Sequence, residues 1–195
     1  MTDYVDGFIK SMTTERTEHR ILDVGIGCGE KSMKLAEIGH TVVGITNCEK
    51  EYEKAKKMVQ RKGLGNCTFL MMSVEDIKSE FGINFFDDVI ASRVFHFLPS
   101  QITLPTIDTL KSLTAPGGQH IIQGYLVNPA LSRSKTNCEK MFKPGELREI
   151  YAGDTRWTVE GYSEDPFSCQ LVGDKEWVSS LVKMTARKSK TPRSR

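Results

Sequence analysis

The sequence predicts an α/β fold: a doubly wound, mostly parallel seven-stranded sheet with helices on both faces. Two observations lead to this prediction. Short β-branched and apolar runs alternate with longer segments of helical character, which is the order of parallel strands joined by crossover helices. A glycine-rich stretch at residues 23–29 directly follows the first apolar run, and ligands bind these folds at such a strand-to-helix switch.

The ends of the predicted elements carry recognisable residues. Gly39 and Gly63 stand where glycine closes a helix, Asn47 stands where a side chain can cap the next helix, and Pro144 suits the first turn of a late helix. The predicted strands are residues 20–24, 41–45, 67–71, 88–92, 120–124, 157–162 and 176–186. The predicted helices are residues 30–38, 49–61, 99–113 and 144–151.

Length and charge indicate one domain with a basic end. The 195 residues are enough for one domain with a sizeable core. The net charge is +2, but residues 187–195 carry five cations and no acid, so the remainder is mildly acidic. We therefore expect a single domain over residues 1–187 and a basic, disordered tail over residues 188–195. Such a tail could alternatively contact nucleic acid or anionic lipid.

Cysteine usage and hydropathy bear on the compartment. The five cysteines are scattered and form no Cys-x-x-Cys pair, which indicates reduced thiols rather than disulfides or a zinc site. No apolar run reaches the roughly 18 residues that a membrane-spanning helix needs, and the first ten residues lack the features of a secretory signal. We expect a cytoplasmic protein without a metal ion and without membrane contact.

The glycine loop at residues 23–29 limits the type of ligand. A dinucleotide fingerprint requires a third glycine three positions after the second, and this chain has Glu30 there. A phosphate loop of the Walker type requires a Gly-Lys-Ser/Thr ending, which is also missing. The acidic loop suits a ligand with a positive amino-acid end better than a polyphosphate. The alternative is a tight turn without a ligand, which three glycines in five residues disfavour.

Three motifs together resemble the class I S-adenosylmethionine-dependent methyltransferases. Residues 23–29, Asp-Val-Gly-x-Gly-x-Gly, resemble the first motif of that family. Residues 86–92 resemble its fourth-strand motif, and residues 113–118 resemble the turn before its fifth strand. The resemblance covers nearly the whole chain. It implies a Rossmann-like methyltransferase fold and S-adenosylmethionine as the cofactor.

The C-terminal part carries a narrower resemblance. Residues 142–151, Trp157 and the closing Ala-Arg-Lys at residues 186–188 are similar to the small tellurite-resistance-type methyltransferases. This resemblance favours an oxyanion or a thiol as the methyl acceptor over other small metabolites.

The resemblance assigns the first cofactor-binding residues to the glycine loop. Asp23 would order the loop and reach the methionyl ammonium through water, although a turn-forming aspartate is an equally simple reason for this residue. Gly25, Gly27 and Gly29 would let the amino-acid part and the ribose lie on bare backbone.

Two positions depart from the family pattern. Thr46 replaces the acidic residue that usually grips both ribose hydroxyls at the end of the second strand, and Glu51, or failing that Glu49, would complete the ribose site. Both glutamates could instead simply complement the dipole of the helix that follows. Ser73 stands where an adenine-binding aspartate is common.

The adenine site would then be completed by neighbours of Ser73. Glu75 or Asp76 could accept the hydrogen bond of the adenine amino group, beside the backbone of Val74. Ser92, at the end of the fourth strand, completes the predicted cofactor-binding set.

The acceptor site is predicted just beyond the fourth strand, beneath Tyr4 and Phe8. His96 is the candidate general base because histidine titrates near neutral pH, and Arg93 could hold an anionic substrate. A packed histidine and a surface ion pair are the equally simple alternatives. Tyr125 is expected to face the site, and residues 128–140, with Arg133, Lys135 and Cys138, are a candidate lid.

The combined prediction is an S-adenosylmethionine-dependent methyltransferase acting on a small acceptor, which would be an oxyanion, a thiol or a small metabolite. One alternative is a cofactor-binding regulatory protein without turnover, which the departures at Thr46 and Ser73 allow. The other is a nucleic-acid methyltransferase. Residues 92–95, Ser-Arg-Val-Phe, lack the Asn/Asp-Pro-Pro-Tyr/Phe sequence that holds a flipped base, so this alternative is disfavoured. The oligomeric state stays open.

Overall fold

The computed structural model describes residues 4–127, 139–170 and 176–190. The core of the predicted lid, residues 128–138, and the end of the predicted tail, residues 191–195, lie outside the described residues.

Helices and strands alternate along the first two thirds of the chain. The strands are β1 Arg20–Val24, β2 Thr41–Thr46, β3 Cys67–Met71, β4 Phe86–Ser92, β5 Thr114–Tyr125, β6 Trp157–Gln170 and β7 Glu176–Lys188. The helices are α1 Tyr4–Met12, α2 Glu30–Glu37, α3 Glu49–Lys62, α4 Ile77–Glu80, α5 Ser100–Leu113 and α6 Glu146–Ala152, with a short 3-10 helix at Phe95–Phe97.

The seven strands form one sheet in the order β3-β2-β1-β4-β5-β7-β6. Strands β1 to β5 run parallel, whereas β7 pairs antiparallel with both β5 and β6. The strand order reverses at β1, between β2 and β4, which is the switch point where open α/β sheets bind ligands. The predicted fold class is confirmed.

The central strands are apolar on both faces because helices cover both sides. Leu22 and Val24 of β1 join a core with α5 and α6, whereas Ile21 of the same strand joins a second core with α1, α2 and α3. This alternation is the expected consequence of the two-residue repeat of a β-strand buried on both faces.

The observed elements differ from the predicted ones mainly at ends and in short helices. Helices α1 and α4 were not predicted. Helix α4 has only four residues, whereas α1 carries a helical apolar pattern at Val5, Phe8, Ile9 and Met12 that the prediction missed. Asn47 is not the cap of α3: Cys48 is, and it makes no side-chain capping bond. Helix α6 begins at Glu146 after a left-handed Gly145, two residues later than expected.

The chain between residues 188 and 190 belongs to the folded part of the protein. Lys188 ends β7, and its ammonium group donates hydrogen bonds to the side chain of Asn84 and to the carbonyl oxygens of Lys111 and Thr114. The backbone N–H of Ser189 donates to the carbonyl oxygen of Arg156 at 2.8 Å. The predicted boundary at residue 187 therefore does not mark the end of ordered contacts.

Within the described residues, the helices are too short or too polar to cross a bilayer.

A histidine–carboxylate pair ties the start of β1 to β4 and makes stability depend on pH. His19 Nδ1 lies 2.6 Å from Oδ2 of the fully buried Asp88, and this hydrogen bond raises the pKa of His19 above its ordinary value of 6.5. The stabilisation is complete below pH 6.5 and is lost as the pH rises through the raised pKa. We expect the free energy of unfolding, measured in urea at a series of pH values, to fall over this window.

The variant His19→Gln is the control for this expectation. It should remove the pH-dependent part of the stability while keeping a polar side chain at the strand end. A wild-type protein whose stability is flat or rises from pH 6.5 upward would contradict the assignment of the pair.

Candidate active site

The glycine loop between β1 and α2 is held against the end of β2. The backbone N–H groups of Gly25 and Ile26 both donate to the carbonyl oxygen of Ile45, at 2.9 and 3.3 Å. Gly25 and Gly27 have φ angles of 75° and 55°, a conformation that L-amino acids with a side chain rarely adopt. The loop therefore presents bare backbone to the space beyond β1.

Gly29 has a different reason to be glycine. It is buried and does not belong to the residues that line the cleft described below. A Cβ atom there would lie 2.8 Å from the ring of Phe69 and 3.0 Å from the Cβ of Ala55. Its φ of 76° also requires glycine. The glycine lets the start of α2 pack closely against β3 and α3, whereas Gly25 and Gly27 face the ligand space.

Asp23 lies one residue before the end of β1 and has a buried carboxyl group, with 4% of the residue's surface exposed. Its Oδ2 accepts a hydrogen bond from the Ser32 hydroxyl at 2.5 Å. Burial raises the pKa of Asp23 to about 6, which the Ser32 bond and the positive charge of Lys31 partly oppose. The group is therefore mostly ionised at neutral pH, and a positively charged ligand in the cleft would stabilise the ion further.

Thr46 and Glu51 form one unit at the end of β2. The Thr46 hydroxyl donates to Oε2 of Glu51 at 2.9 Å and accepts the backbone N–H of Cys48 at 3.1 Å. The threonine thus fixes both the carboxylate and the first turn of α3. A polar pair of this kind offers acceptor atoms to the hydroxyls of a ribose.

Ser73 and Glu75 form a second polar pair after β3. The Ser73 hydroxyl donates to Oε2 of Glu75 at 2.5 Å. Both residues line the cleft, together with the buried Val74, whereas Asp76 does not. Of the two predicted hydrogen-bond acceptors for adenine, Glu75 is the one on the cleft surface.

Ser92 is the centre of a small network that the sequence did not reveal. Its hydroxyl donates to Oε1 of Gln123 at 3.1 Å and accepts from the ammonium group of Lys31 at 3.3 Å. The network joins the end of β4 to β5 and to the first turn of α2. Lys31 comes two residues after the glycine loop, and only this closeness in sequence could have suggested a role for it at the site.

Arg93 follows Ser92 in a strained backbone conformation. Its φ of 54° lies in the left-handed region, and its backbone N–H donates to the carbonyl oxygen of Gln123 at 2.7 Å. A non-glycine residue in this conformation costs free energy, and such residues cluster at binding sites. The turn places the exposed Arg93 side chain on the surface of the cleft.

His96 lies in the 3-10 helix one turn further on and lines the same cleft. Burial lowers its pKa to about 4, and the positive charge of Arg93 adds to the effect. The imidazole is therefore neutral at physiological pH. Its ring packs edge-to-face on Tyr125, with 4.7 Å between the ring centroids.

One open cleft of about 1040 Å³ connects these groups, a volume at the upper end of the range for ligand pockets. It extends from the glycine loop, past the two polar pairs, to Arg93 and His96. Tyr125 faces it as predicted, and the side chains of Cys28, Lys31, Phe97 and Ile102 add to its surface. The predicted site residues that line it are Asp23, Gly25, Gly27, Thr46, Glu51, Ser73, Val74, Glu75, Ser92, Arg93 and His96.

Tyr4 and Phe8 do not cover the acceptor end. The Tyr4 hydroxyl bonds to Oγ1 of Thr185 at 2.7 Å, and Phe8 packs into the core formed with α2 and α3. From α1 only Asp6 reaches the cleft, where its carboxylate lies 3.9 Å from the Lys34 ammonium.

Comparison with known proteins assigns this arrangement to a family. Residues 21–118 match the family model of a methyltransferase domain. A 2-heptyl-1-hydroxyquinolin-4(1H)-one methyltransferase of Mycobacteroides abscessus is 30% identical over 144 residues, which are 73% of this chain and 60% of the relative.

Two solved structures share the fold. TehB from Haemophilus influenzae superimposes with a TM-score of 0.80 at 19% identity, over 94% of this chain and 62% of that chain. A 1,6-didemethyltoxoflavin-N1-methyltransferase from Burkholderia thailandensis, solved with 1,6-didemethyltoxoflavin and S-adenosylhomocysteine, superimposes with a TM-score of 0.71 at 19% identity. It covers 95% of this chain and 76% of that chain. This chain thus spans about three fifths of the first relative and of TehB.

The doubly wound sheet and the glycine-lined cleft at its switch point define a protein that binds a nucleoside-type cofactor. The chain belongs to the class I S-adenosylmethionine-dependent methyltransferases, and S-adenosylmethionine is its cofactor. The match to TehB, at 19% identity, shows that the two proteins share this fold.

The residues of the cleft fit this cofactor. The bare backbone of Gly27 leaves space for the methionyl part, since a Cβ atom there would meet no described atom within 4 Å, whereas a Cβ atom at Gly25 would meet Val94. Asp23 supplies a negative charge close to that space, which suits an ammonium and a sulfonium group. The Thr46–Glu51 and Ser73–Glu75 pairs offer acceptors further along the cleft for hydroxyl and amino groups.

Proposed function

We propose that this protein transfers the methyl group of S-adenosylmethionine to a small acceptor, which is an oxyanion, a thiol or a small metabolite. Asp23, Gly25 and Gly27 would hold the methionyl part of the cofactor. The Thr46–Glu51 pair would hold its ribose, and the Ser73–Glu75 pair its adenine.

The continuity of the cleft is the observation that carries this proposal. Arg93, His96 and Tyr125 line the same cavity as the glycine loop and the two polar pairs. An acceptor among them could approach the cofactor's methyl group without leaving the pocket. Methyl transfer from a sulfonium is an in-line displacement that requires the two reactants to be aligned, and a cleft shared by cofactor and acceptor would provide that alignment.

The names of the similar proteins support a small acceptor. The relative from Mycobacteroides abscessus is named for a hydroxyquinolone, and the Burkholderia thailandensis structure contains 1,6-didemethyltoxoflavin. Both names describe small molecules and not macromolecules.

Calorimetry and turnover test the proposal together. We expect S-adenosylmethionine and S-adenosylhomocysteine to bind with micromolar dissociation constants, about −8 kcal/mol. We also expect release of S-adenosylhomocysteine when 2-heptyl-1-hydroxyquinolin-4(1H)-one or a small aromatic thiol is added. Absence of binding at millimolar cofactor would reject the proposal.

The same experiment separates the two alternatives. A regulatory protein without turnover would bind the cofactor and release no S-adenosylhomocysteine with either acceptor or with nucleic acid. A nucleic-acid methyltransferase would transfer the methyl group to transfer RNA or DNA in preference to the small molecules, and removal of residues 191–195 would then reduce its activity.

A further inference from the structure

The orientation of the His96 ring is fixed by its neighbours. The ring lies beside Phe97 with 3.9 Å between the centroids and meets the edge of Tyr125 at 4.7 Å. The backbone carbonyl of His96 accepts the N–H of Glu139 at 2.8 Å, which ties the 3-10 helix to the segment before α6. The two aromatic contacts therefore hold the plane of the imidazole.

The two ring nitrogens have different surroundings. Nδ1 is shut off from solvent and has no hydrogen-bond partner in the described part of the chain. Nε2 is not shut off in this way, and His96 lines the cleft. Nε2 is thus the nitrogen that a molecule in the cleft can meet.

This difference decides where the proton of the neutral imidazole lies. A neutral imidazole carries one proton, so one nitrogen donates and the other accepts. A proton on Nδ1 would be a buried donor without an acceptor, an arrangement that proteins rarely contain. The isolated side chain also favours the Nε2–H form. His96 accordingly presents an N–H group, and not a lone pair, to the cleft.

The surroundings of this N–H favour a negative partner. Arg93 lines the same cleft, and after burial its positive charge is the second cause of the lowered pKa of His96. Within the part of the chain that the structure describes, the rings of Phe97 and Tyr125 and the backbone of Glu139 also contact His96. A neutral alcohol would need a base at this position, whereas the structure offers a donor and a positive charge.

We propose that His96 donates a hydrogen bond through Nε2 to an acceptor that binds as an anion, either an oxyanion or a thiolate, in the positive potential of Arg93. This inference rests on the proposed function and specifies its substrate class: acceptors acidic enough to ionise in solution. His96 would then orient the nucleophile and would not act as the general base that the sequence suggested.

The chemical step balances without a base. The acceptor loses its proton to bulk solvent before it binds. A lone pair of the anion forms the new bond to the methyl carbon while the carbon–sulfur bond breaks, and the electron pair of that bond stays on sulfur. The sulfonium becomes a neutral thioether, the anion becomes a neutral methyl ether or thioether, and no proton is transferred to the protein.

A coloured probe can measure the preference for an anion without turnover. 4-Nitrophenol absorbs visible light only when it is ionised, so its titration can be followed on the protein saturated with S-adenosylhomocysteine. The variants His96→Gln and His96→Phe form a matched pair. Neither side chain can act as a base; glutamine keeps an N–H donor, whereas phenylalanine keeps an aromatic ring and has no donor.

The expected result is that wild-type protein binds the phenolate about tenfold more tightly than the phenol. The preference should persist in His96→Gln and disappear in His96→Phe. With 2-heptyl-1-hydroxyquinolin-4(1H)-one as the acceptor, His96→Gln should retain more turnover than His96→Phe.

Three results would overturn the inference: no preference for the phenolate in wild-type protein, no binding of 4-nitrophenol in either form, or equal loss in both variants. Each is distinct from failure of the proposed function, because binding of S-adenosylhomocysteine is measured first. If S-adenosylhomocysteine does not bind, the proposed function is rejected. If it binds and any of the three results is found, only the proposal of an anionic acceptor is rejected.

Discussion

Gly25→Ala is expected to weaken S-adenosylmethionine binding about a hundredfold, which corresponds to about 2.7 kcal/mol. Gly25 has a φ of 75°, which costs a residue with a side chain about 1–2 kcal/mol. The new Cβ would also lie 2.7 Å from Cγ2 of Val94, a residue that itself lines the cleft. The substitution therefore changes the loop and the opposite wall of the pocket together.

Calorimetry checks this expectation, with circular dichroism to verify that the variant is folded. Gly65→Ala is the matched control, because Gly65 has no positive φ, lies outside the cleft and would place its Cβ more than 4 Å from every described neighbour. This control should bind the cofactor as wild-type protein does.

Thr46→Ala provides the comparison within the pocket. It removes one hydroxyl and leaves the Glu51 carboxylate, so we expect a loss of binding of about tenfold or less, near the value of a single hydrogen bond. Gly27→Ala, at a φ of 55°, should resemble Gly25→Ala. If Thr46→Ala weakened binding more than the glycine variants, the side chains and not the loop backbone would dominate cofactor recognition.

Gly118→Ala is expected to destabilise the protein by about 3–4 kcal/mol, near the upper limit for a single substitution. A Cβ atom at Gly118 would lie 2.1 Å from the backbone carbonyl oxygen of Asp87 and 3.0 Å from that of Ala115. These are backbone atoms, so relief requires β4 and β5 to move apart at Asp87 and the first residues of β5 to change conformation at Ala115. The two strands already pair irregularly here, between Phe86 and Asp88.

Urea denaturation measures this effect, with Gly82→Ala as the control. Gly82 precedes β4, the strand that a Cβ atom at Gly118 would meet. It has no positive φ, and no described atom lies within 4 Å of the position of its Cβ. We expect a change in stability below about 0.5 kcal/mol for the control. A Gly118→Ala protein as stable as the control would show that the approach of the two strands is looser than described.

The sequence predicted more of the cofactor end than of the acceptor end. The glycine loop, Thr46 and Ser73 each stand at the end of a strand whose position followed from its apolar run, so their convergence at one edge of a parallel sheet was predictable. The family resemblance also named Glu51, or failing that Glu49, as the partner of Thr46 at the ribose site, and the structure pairs Thr46 with Glu51. The network of Lys31, Ser92 and Gln123 was not, because it joins three elements that are distant in sequence.

His96 shows what sequence cannot supply. Its residue type indicates a group that titrates near neutral pH, and on that basis it was a candidate base. Burial and the charge of Arg93 lower its pKa to about 4, and the packing of the described residues leaves Nδ1 without a hydrogen-bond partner among them. These properties depend on which groups surround the ring, and chain order does not specify them.

The glycine loop shows, within a single motif, which features the sequence predicts and which only the folded structure decides. The sequence alone determined that the chain forms a doubly wound sheet with a loop of three glycines after its first strand, because strand and turn propensities are local. Only the tertiary structure decided that Gly25 and Gly27 face the cleft while Gly29 packs against Phe69 and Ala55. The three glycines permit the left-handed backbone that the structure shows at each position, whereas the contacts of each glycine depend on elements that meet only after folding.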